Sequence, residues 1–248
     1  MRLLLDIGNS RIKWACAAGG RLAGCAGALS HEGRMPADLH SLWSALPIPS
    51  DGVLAVSVAA PSLEREIDDW VQRYWACKLR RLVTPRMGGG IQIAYSHPAA
   101  LGADRWAAMV GARHLDLLPA CVVDCGTAVT LDAVDGAGRH LGGVIAPGLE
   151  AMRRALTERT HRLPAVGDGH LQILARDTLT GIRSGTMLGL ATLIDGLVDR
   201  LTESSGLPLQ PLLTGGDAPR LFPWFTRCYK QVPDLVLEGL AVLSEDVN

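Results

Sequence analysis

The sequence predicts an α/β protein made of two related domains that face each other. Apolar strands and amphipathic helices alternate along the chain, an order that favours α/β folds. An apolar strand followed by Asp-x-Gly, a small hydroxyl residue and a second apolar strand occurs around Asp6 and again around Asp124. These two aspartates are separated by close to half of the 248 residues. We therefore expect a boundary near residues 112–119, between domains over residues 1–115 and 116–248.

The first half contains a well-marked helix between predicted strands. Pro61 stands near the start of residues 61–75, where its fixed φ suits a first helical turn. The apolar side chains of this segment recur at helical spacing on one face, and they are Leu63, Ile67, Trp70, Val71 and Tyr74. The other expected elements are strands over 1–6, 12–18, 52–60 and 78–83, a glycine-rich loop over 84–95 and a helix from Gly102.

The second half repeats the alternation. Residues 120–134 predict two apolar strands around a glycine turn. Helices are expected after Pro147, over about 178–201 and over 235–244, and a strand that ends in a glycine turn is expected over 211–218.

The composition argues against nucleic-acid and membrane partners. The 24 basic and 25 acidic side chains give a net charge of −1, whereas nucleic-acid binding usually needs a basic excess on one face. Asp6 interrupts the N-terminal apolar stretch after four residues, so we expect no signal peptide. No apolar run approaches the roughly 20 residues that span a membrane. The six cysteines form no Cys-x-x-Cys pair, so we expect structural thiols in a reducing cytoplasm.

Three short motifs fit phosphate binding: Asp-Ile-Gly-Asn-Ser at 6–10, Asp-Cys-Gly-Thr-Ala at 124–128 and Thr-Gly-Gly-Asp-Ala at 214–218. Glycine at a turn lets backbone N–H groups approach an anion, and Ser10 and Thr127 add hydroxyl donors. A carboxylate beside phosphate implies a cation or a metal-bound water between them.

Lys13 follows the first motif on the return strand, where its charge can neutralise a transferred phosphoryl group. The P-loop and dinucleotide-binding glycine patterns are absent from the sequence. The alternative interpretation is two ordinary hairpins in which an aspartate caps each turn. The repetition of the motif in both halves favours phosphate binding.

The three motifs resemble the phosphate-1, phosphate-2 and adenosine motifs of the acetate and sugar kinase/Hsp70/actin superfamily. Within it the chain is similar to type III pantothenate kinases, most specifically in LGADRWAAMVGA at 101–112. Segments 142–152 and 177–185 also resemble segments of that family. The resemblance implies two ribonuclease H-like (actin-like ATPase) domains, with mixed sheets flanked by helices and the active site in the cleft between them.

The resemblance further implies the reaction and its residues. The family phosphorylates pantothenate with ATP and Mg²⁺ in the first step of coenzyme A biosynthesis, and Asp104 would be the catalytic base. The ATP contacts would be Asp6, Ile7, Gly8, Asn9, Ser10, Arg11, Ile12, Lys13 and Thr127, with Asp6 acting on magnesium through water. The pantothenate contacts would be Tyr95, Gly102, Ala103, Asp104, Arg105 and Thr178.

The family also implies a monovalent cation, potassium or ammonium, at Asp124, and a homodimer in which Thr178 or the nearby Thr180 reaches the partner's substrate. The residue chemistry suits the reaction, because an aspartate can take the proton of an alcohol and an arginine can grip a carboxylate with two donors. The alternatives are helix-start decoration for Asp104 and Arg105 and plain packing for Tyr95.

Two other functions compete with this prediction. One is a kinase for another small acidic alcohol, and the other is a regulatory accessory protein of the same fold without kinase activity. The joint presence of Asp6, Asp104, Arg105 and Asp124 favours an enzyme, since a regulatory copy is expected to lose at least one of them.

Overall fold

The computed structural model describes residues 1–159 and 163–246 and forms two compact units. The first unit contains Met1–Leu118, Gly136–His140 and the chain from Asp234 onward, and the second contains Pro119–Asp135 and Leu141–Pro233. The division into domains over 1–115 and 116–248 stays a prediction.

The strands and helices alternate along both halves of the chain. The strands are β1 Arg2–Ile7, β2 Arg11–Ala18, β3 Arg21–Ser30, β4 Val53–Ser57, β5 Leu79–Arg81, β6 Met87–Gly88, β7 Ile91–Gln92, β8 Ala120–Cys125, β9 Ala128–Val134, β10 His140–Pro147, β11 Gln210–Thr214 and β12 Lys230–Gln231. The helices are α1 Ala37–Ser44, α2 Pro61–Trp75, α3 Ala103–His114, α4 Leu149–Arg159, α5 Thr178–Ser205, α6 Ala218–Leu221 and α7 Leu235–Leu243, with 3₁₀ turns at Pro98–Ala100 and Phe222–Trp224.

The two main sheets have the same strand order. The first is β3-β2-β1-β4-β5 and the second is β10-β9-β8-β11-β12. In each, the central strand pairs antiparallel with the strand that follows it and parallel with a later one. The predicted mixed α/β class is therefore confirmed, and the sequence repeat reflects a repeat of sheet topology.

Side-chain alternation in the central strands determines which face carries each motif aspartate. Leu3, Leu5 and Ile7 of β1 pack with α1 and α2 in one core. Because successive strand residues point to opposite faces, Asp6 lies on the other face, where α3 and α7 pack. In β8, Cys121 and Cys125 pack with α5, so Asp124 lies on the opposite face of the second sheet.

Most predicted elements are present with small shifts of their ends. Helix α2 covers the predicted residues 61–75, although Tyr74 is exposed and Trp75 is buried in its place. The predicted glycine-rich loop contains the short β6–β7 hairpin. Cys16 and Cys25, expected as thiols, form a disulfide between β2 and β3. No helix of the described residues has the length and apolar character to cross a membrane.

Candidate active site

The β1–β2 turn carries the first motif. Asp6 is the penultimate residue of β1 and lies directly opposite Lys13 of β2, so both side chains belong to one face of the sheet. The backbone N–H of Gly8 donates to Arg11 O at 2.9 Å and closes the turn. His31, which the sequence did not indicate, lies 2.9 Å from Gly8 O through its ring Nε2. The turn is therefore stabilised by its own backbone hydrogen bond and by His31, the residue directly after β3.

Lys13 is half-buried and has an acidic neighbour, Asp234, that is distant along the chain. Its Nζ lies 3.9 Å from Asp234 Oδ1, next to the start of α7. This ion pair keeps the Lys13 side chain near the β1–β2 turn.

Helix α3 presents Asp104 in its first turn. Gly102 is the residue before the helix, and the buried hydroxyl of Thr84 donates to Leu101 O at 2.8 Å, which fixes the chain entering it. Asp104 Oδ1 accepts the backbone N–H of Arg105 at 2.8 Å. The carboxylate therefore has a defined orientation at the positive end of the helix dipole.

Arg105 and Tyr95 form the second part of this group. Arg105 is buried, and its Nη1 donates to the Tyr95 hydroxyl at 3.3 Å. The guanidinium carbon lies 6.0 Å from the centre of the Tyr95 ring, within cation–π range. The structure therefore brings Tyr95 to Arg105, 10 residues later in the chain and next to the predicted base Asp104.

The second unit brings together motifs that the sequence separates. Asp124 is the penultimate residue of β8, as Asp6 is of β1, and its register neighbours are Thr130 and Thr214. A Cβ on Gly215 would overlap the backbone of Cys125 and the Asp124 carboxylate. The second motif and the glycine turn after β11 are thus in direct contact.

Two further glycine-dependent contacts complete this arrangement. A Cβ on Gly148, just before α4, would overlap the carbonyl oxygens of Gly126 and Thr127, and Gly148 N donates to Thr127 O at 3.1 Å. Asp217 N donates to Cys125 O at 2.8 Å. Burial, with the nearby carboxylates of Asp124 and Asp217, raises the pKa of the Cys125 thiol, so this cysteine stays protonated and is no nucleophile.

An ion-pair network beside the glycine turn was not predicted. The buried Arg153 of α4 donates to Glu150 at 3.0 Å and to Asp168 at 3.1 Å. Arg220 of α6 bonds the same Asp168 and also Asp217, the latter at 2.7 Å. The network joins α4, α6 and the segment before α5, and no sequence pattern marks residues this far apart.

Thr178 is the exposed first residue of α5. Asp177 precedes it and accepts the backbone N–H of Thr180 at 2.9 Å as an N-cap. Bonds from the Thr180 backbone and hydroxyl lower the pKa of Asp177. The aspartate is therefore a charged helix cap, a role that explains an acid at this position.

Among the described residues, no three His, Cys, Asp or Glu side chains come together as a metal cluster. Asp6 and Asp124 are instead single carboxylates at strand ends. Mg²⁺ in kinases is held by one or two carboxylates together with water and substrate phosphates, so a single carboxylate such as Asp6 suits it.

The duplicated sheets, with an aspartate at the end of each central strand, define a protein of the actin-like ATPase fold. Solved structures with this chain's fold include the activator of 2-hydroxyisocaproyl-CoA dehydratase from Clostridium difficile, with a TM-score of 0.56, 11% identity and coverage of 99% of this chain and 94% of that one. A protein from Campylobacter jejuni described as a Baf family transcriptional activator matches with a TM-score of 0.59, 20% identity and 98% of both chains.

Comparison of the amino-acid sequence identifies the family. The family model for type III pantothenate kinase matches residues 2–200. Type III pantothenate kinases of Halorhodospira halophila and Nitrosococcus oceani are 38% and 35% identical to this chain, over 97% and 100% of its length and 96% and 95% of theirs. The chain belongs to the type III pantothenate kinase family. It is a kinase that phosphorylates pantothenate in coenzyme A biosynthesis, with ATP and a divalent metal.

Proposed function

We propose that this chain transfers the terminal phosphoryl group of ATP directly to the hydroxyl of pantothenate, with Asp104 as general base. The observation that carries the proposal is the first turn of α3, where an oriented carboxylate adjoins a buried arginine. This helix packs on the sheet face that also bears Asp6 and Lys13. A proton acceptor and phosphate-binding groups thus belong to one face of one unit.

The acceptor side of the reaction is assigned to α3 and Tyr95. Asp104 takes the proton of the primary alcohol as attack proceeds. Arg105 binds the substrate carboxylate with two donors, and its burial strengthens that interaction because water is excluded. Gly102 and Ala103 line the substrate at the helix start, and the Tyr95 ring supplies a wall.

The nucleotide side is assigned to the two glycine turns. Residues 6–13 bind the phosphates, with Lys13 neutralising charge on the transferred group, and Thr127 adds a hydroxyl donor. Asp6 would hold the magnesium through water. When bound, that ion neutralises charge on the phosphates and supplies the electrostatic stabilisation of transfer.

A monovalent cation, potassium or ammonium, is assigned to Asp124. Its carboxylate lies against the Gly215 backbone, at a strand end next to the Gly126 turn. A carboxylate grouped with turn carbonyls is a suitable oxygen site for such an ion. Equal rates in sodium-only buffer would count against this assignment.

The proposed kinase is a homodimer located in the cytoplasm. Three apolar side chains close to Thr178 in the sequence are exposed, namely Ile173 at 80%, Leu174 at 79% and Leu179 at 39%. Exposed apolar residues grouped in this way mark interaction surfaces, and a second copy of the chain is the partner that would bring Thr178 to the substrate. The cytoplasm is where the ATP-dependent start of coenzyme A synthesis is expected.

An ATP-consumption assay tests this function. The wild-type chain is given pantothenate or a panel of sugars and other small acidic alcohols, each in potassium and in sodium buffer. We expect turnover with pantothenate that depends on potassium. Turnover with another acidic alcohol alone would point to a different kinase, and no turnover with any acceptor would favour the regulatory alternative.

A further inference from the structure

Tyr95 contacts other residues through its hydroxyl, its backbone carbonyl and its ring face. Only the hydroxyl contact involves a residue of the predicted site. Arg105 reaches its hydroxyl. The backbone and the ring face are held by Arg86 and His140, which no motif indicates. All of these residues lie in the first unit.

Arg86 fixes the backbone that carries Tyr95. Its guanidinium donates to Tyr95 O and Ser96 O, both at 2.8 Å, and to Ile93 O at 3.4 Å. Its own carbonyl accepts Ile93 N at 3.0 Å. A planar fork with five donors suits this clustering of carbonyls, and a lysine ammonium on its flexible stem does not reproduce the fork.

His140 covers one face of the Tyr95 ring. The two rings are stacked, with centres 5.9 Å apart and planes at 25°, and the histidine is only 3% exposed. This separation lies within the range of favourable aromatic pairs. The imidazole therefore restricts the plane in which the tyrosine ring can lie.

The segment that carries His140 is itself anchored. Gln92 N donates to Gly138 O at 2.9 Å, and Arg113 Nη1 donates to Ala137 O at 3.0 Å. Gly138 has φ +84°, and a Cβ there would overlap Gly90 O and the Arg113 guanidinium. The position of the histidine is thus determined by a close backbone approach that only glycine allows.

We propose that Arg86 and His140 are positioning residues for pantothenate, which act by holding Tyr95 and, through its hydroxyl, Arg105 in the substrate-binding geometry. The inference rests on the proposed function, in which Tyr95 and Arg105 contact pantothenate. Loss of either residue weakens substrate binding and leaves the nucleotide side unchanged, because the nucleotide contacts are on other elements.

The test compares the KM values for pantothenate and ATP, and kcat, in His140→Ala, His140→Phe, Arg86→Ala and Tyr95→Ala. His140→Ala should raise the KM for pantothenate about 3- to 10-fold, the range that an aromatic pair supplies. Arg86→Ala should raise it at least as much, because it removes charge-assisted hydrogen bonds to the Tyr95 backbone. The KM for ATP should be unchanged in both variants. His140→Phe keeps a stacking ring and should restore the wild-type value. His114→Ala at the exposed end of α3 and Arg73→Ala at the end of α2 are the matched controls.

A double variant separates positioning from general destabilisation. Tyr95→Ala/His140→Ala should have the same KM for pantothenate as Tyr95→Ala alone, since His140 acts through the tyrosine. Additive effects, or losses confined to kcat, would overturn the inference. If His140→Ala does not fold, Arg86→Ala and His140→Phe decide the question. Failure of the proposed function would look different. The wild-type chain would then not turn over pantothenate, or Tyr95→Ala would leave the KM for pantothenate unchanged.

Discussion

Asp104 combines a structural bond with its proposed chemical role. Its Oδ1 accepts the Arg105 N–H at 2.8 Å, which any side chain with an oxygen at that atom can do. Asparagine keeps that acceptor and loses the capacity to take a proton. The structural and chemical roles of the residue can therefore be separated by one substitution.

We expect Asp104→Asn to lower kcat by about 10²–10⁴, the usual contribution of a general base, with an unchanged melting temperature. Steady-state rates with pantothenate and a thermal melt measure the two quantities. Asp69→Asn on α2 makes the same charge change away from the site and should leave kcat unaltered. Near-normal turnover in Asp104→Asn would remove the residue from the role of base.

Asp168 gives a pH-dependent prediction. Hydrogen bonds from Arg220 and Arg153 hold the pKa of this carboxyl below its usual value. Because the folded-state pKa is lowered, the charged form stabilises the fold above the unfolded pKa of about 3.9, and this contribution disappears as the pH falls through the folded value. The carboxylate is exposed, so solvent screening keeps the effect modest.

Asp168→Asn should therefore lower the melting temperature at pH 7, and its difference from the wild type should shrink as the pH falls below about 4. Glu203→Gln on α5 removes one charge from the same unit as a control. A difference that widens below pH 4 would show that the carboxylate does not stabilise the fold by its charge.

At the scale of elements, α3 and α7 approach each other through glycine. A Cβ on Gly239 of α7 would overlap the carbonyl of Ala107, and one on Gly111 of α3 would overlap Leu235 O. The two helices therefore pack nearly backbone to backbone. This contact sets the position of α3, and with it the position of Asp104.

Gly239→Ala should lower the free energy of unfolding by about 1–3 kcal/mol, because an added methyl group in a packed contact forces the helices apart. Gly196→Ala in α5 is the matched control, since no atom outside its own helix lies within 4 Å of the added Cβ, and it should stabilise the protein by about 0.5–1 kcal/mol. Urea denaturation measures both. Equal effects of the two variants would contradict close packing at Gly239.

The elements show which parts of the fold local sequence determines. Helix α2 was predicted over the residues it occupies, since a proline at its start and a regular apolar face are local signals. The β6–β7 hairpin was missed because two paired residues on each side of a glycine turn leave no periodic pattern. The packing of α7 on α3 could not be predicted, because it depends on two glycines more than 100 residues apart.

The same distinction applies to the site. Asp6, Asp104 and Asp124 were predicted because each stands in a short motif at the end of a strand or start of a helix. Arg86, His140 and Arg153 were missed because their neighbours are tertiary contacts that no spacing announces. The residues to which chemistry is assigned by proposal thus have local sequence signals, and the residues proposed to position them do not.

At the scale of the whole molecule, the two copies of the repeated sheet place different side chains opposite the motif aspartate. The partner of Asp6 across the hairpin is Lys13, whereas the partner of Asp124 is Thr130. In the proposed function Lys13 neutralises charge on the transferred phosphoryl group, whereas the second hairpin places only a neutral hydroxyl opposite Asp124. The duplicated sheet is therefore compatible with different proposed roles for Asp6 and Asp124.

The proposed homodimer predicts that two inactive variants restore activity when mixed, because Asp104 and Thr178 of one active site would come from different protomers. Asp104→Asn dimers lack the base, and Thr178→Val dimers lack the hydroxyl that reaches the partner's substrate. After the two are mixed and allowed to exchange protomers, each mixed dimer has one site in which both residues are intact. At low pantothenate concentration we expect the mixture to recover about a quarter of wild-type activity, since half of the dimers are mixed and half of their sites are complete. Activity no higher than the mean of the two parent variants, in a sample shown by light scattering to be dimeric and exchanged, would place Thr178 in the same protomer's site or in none.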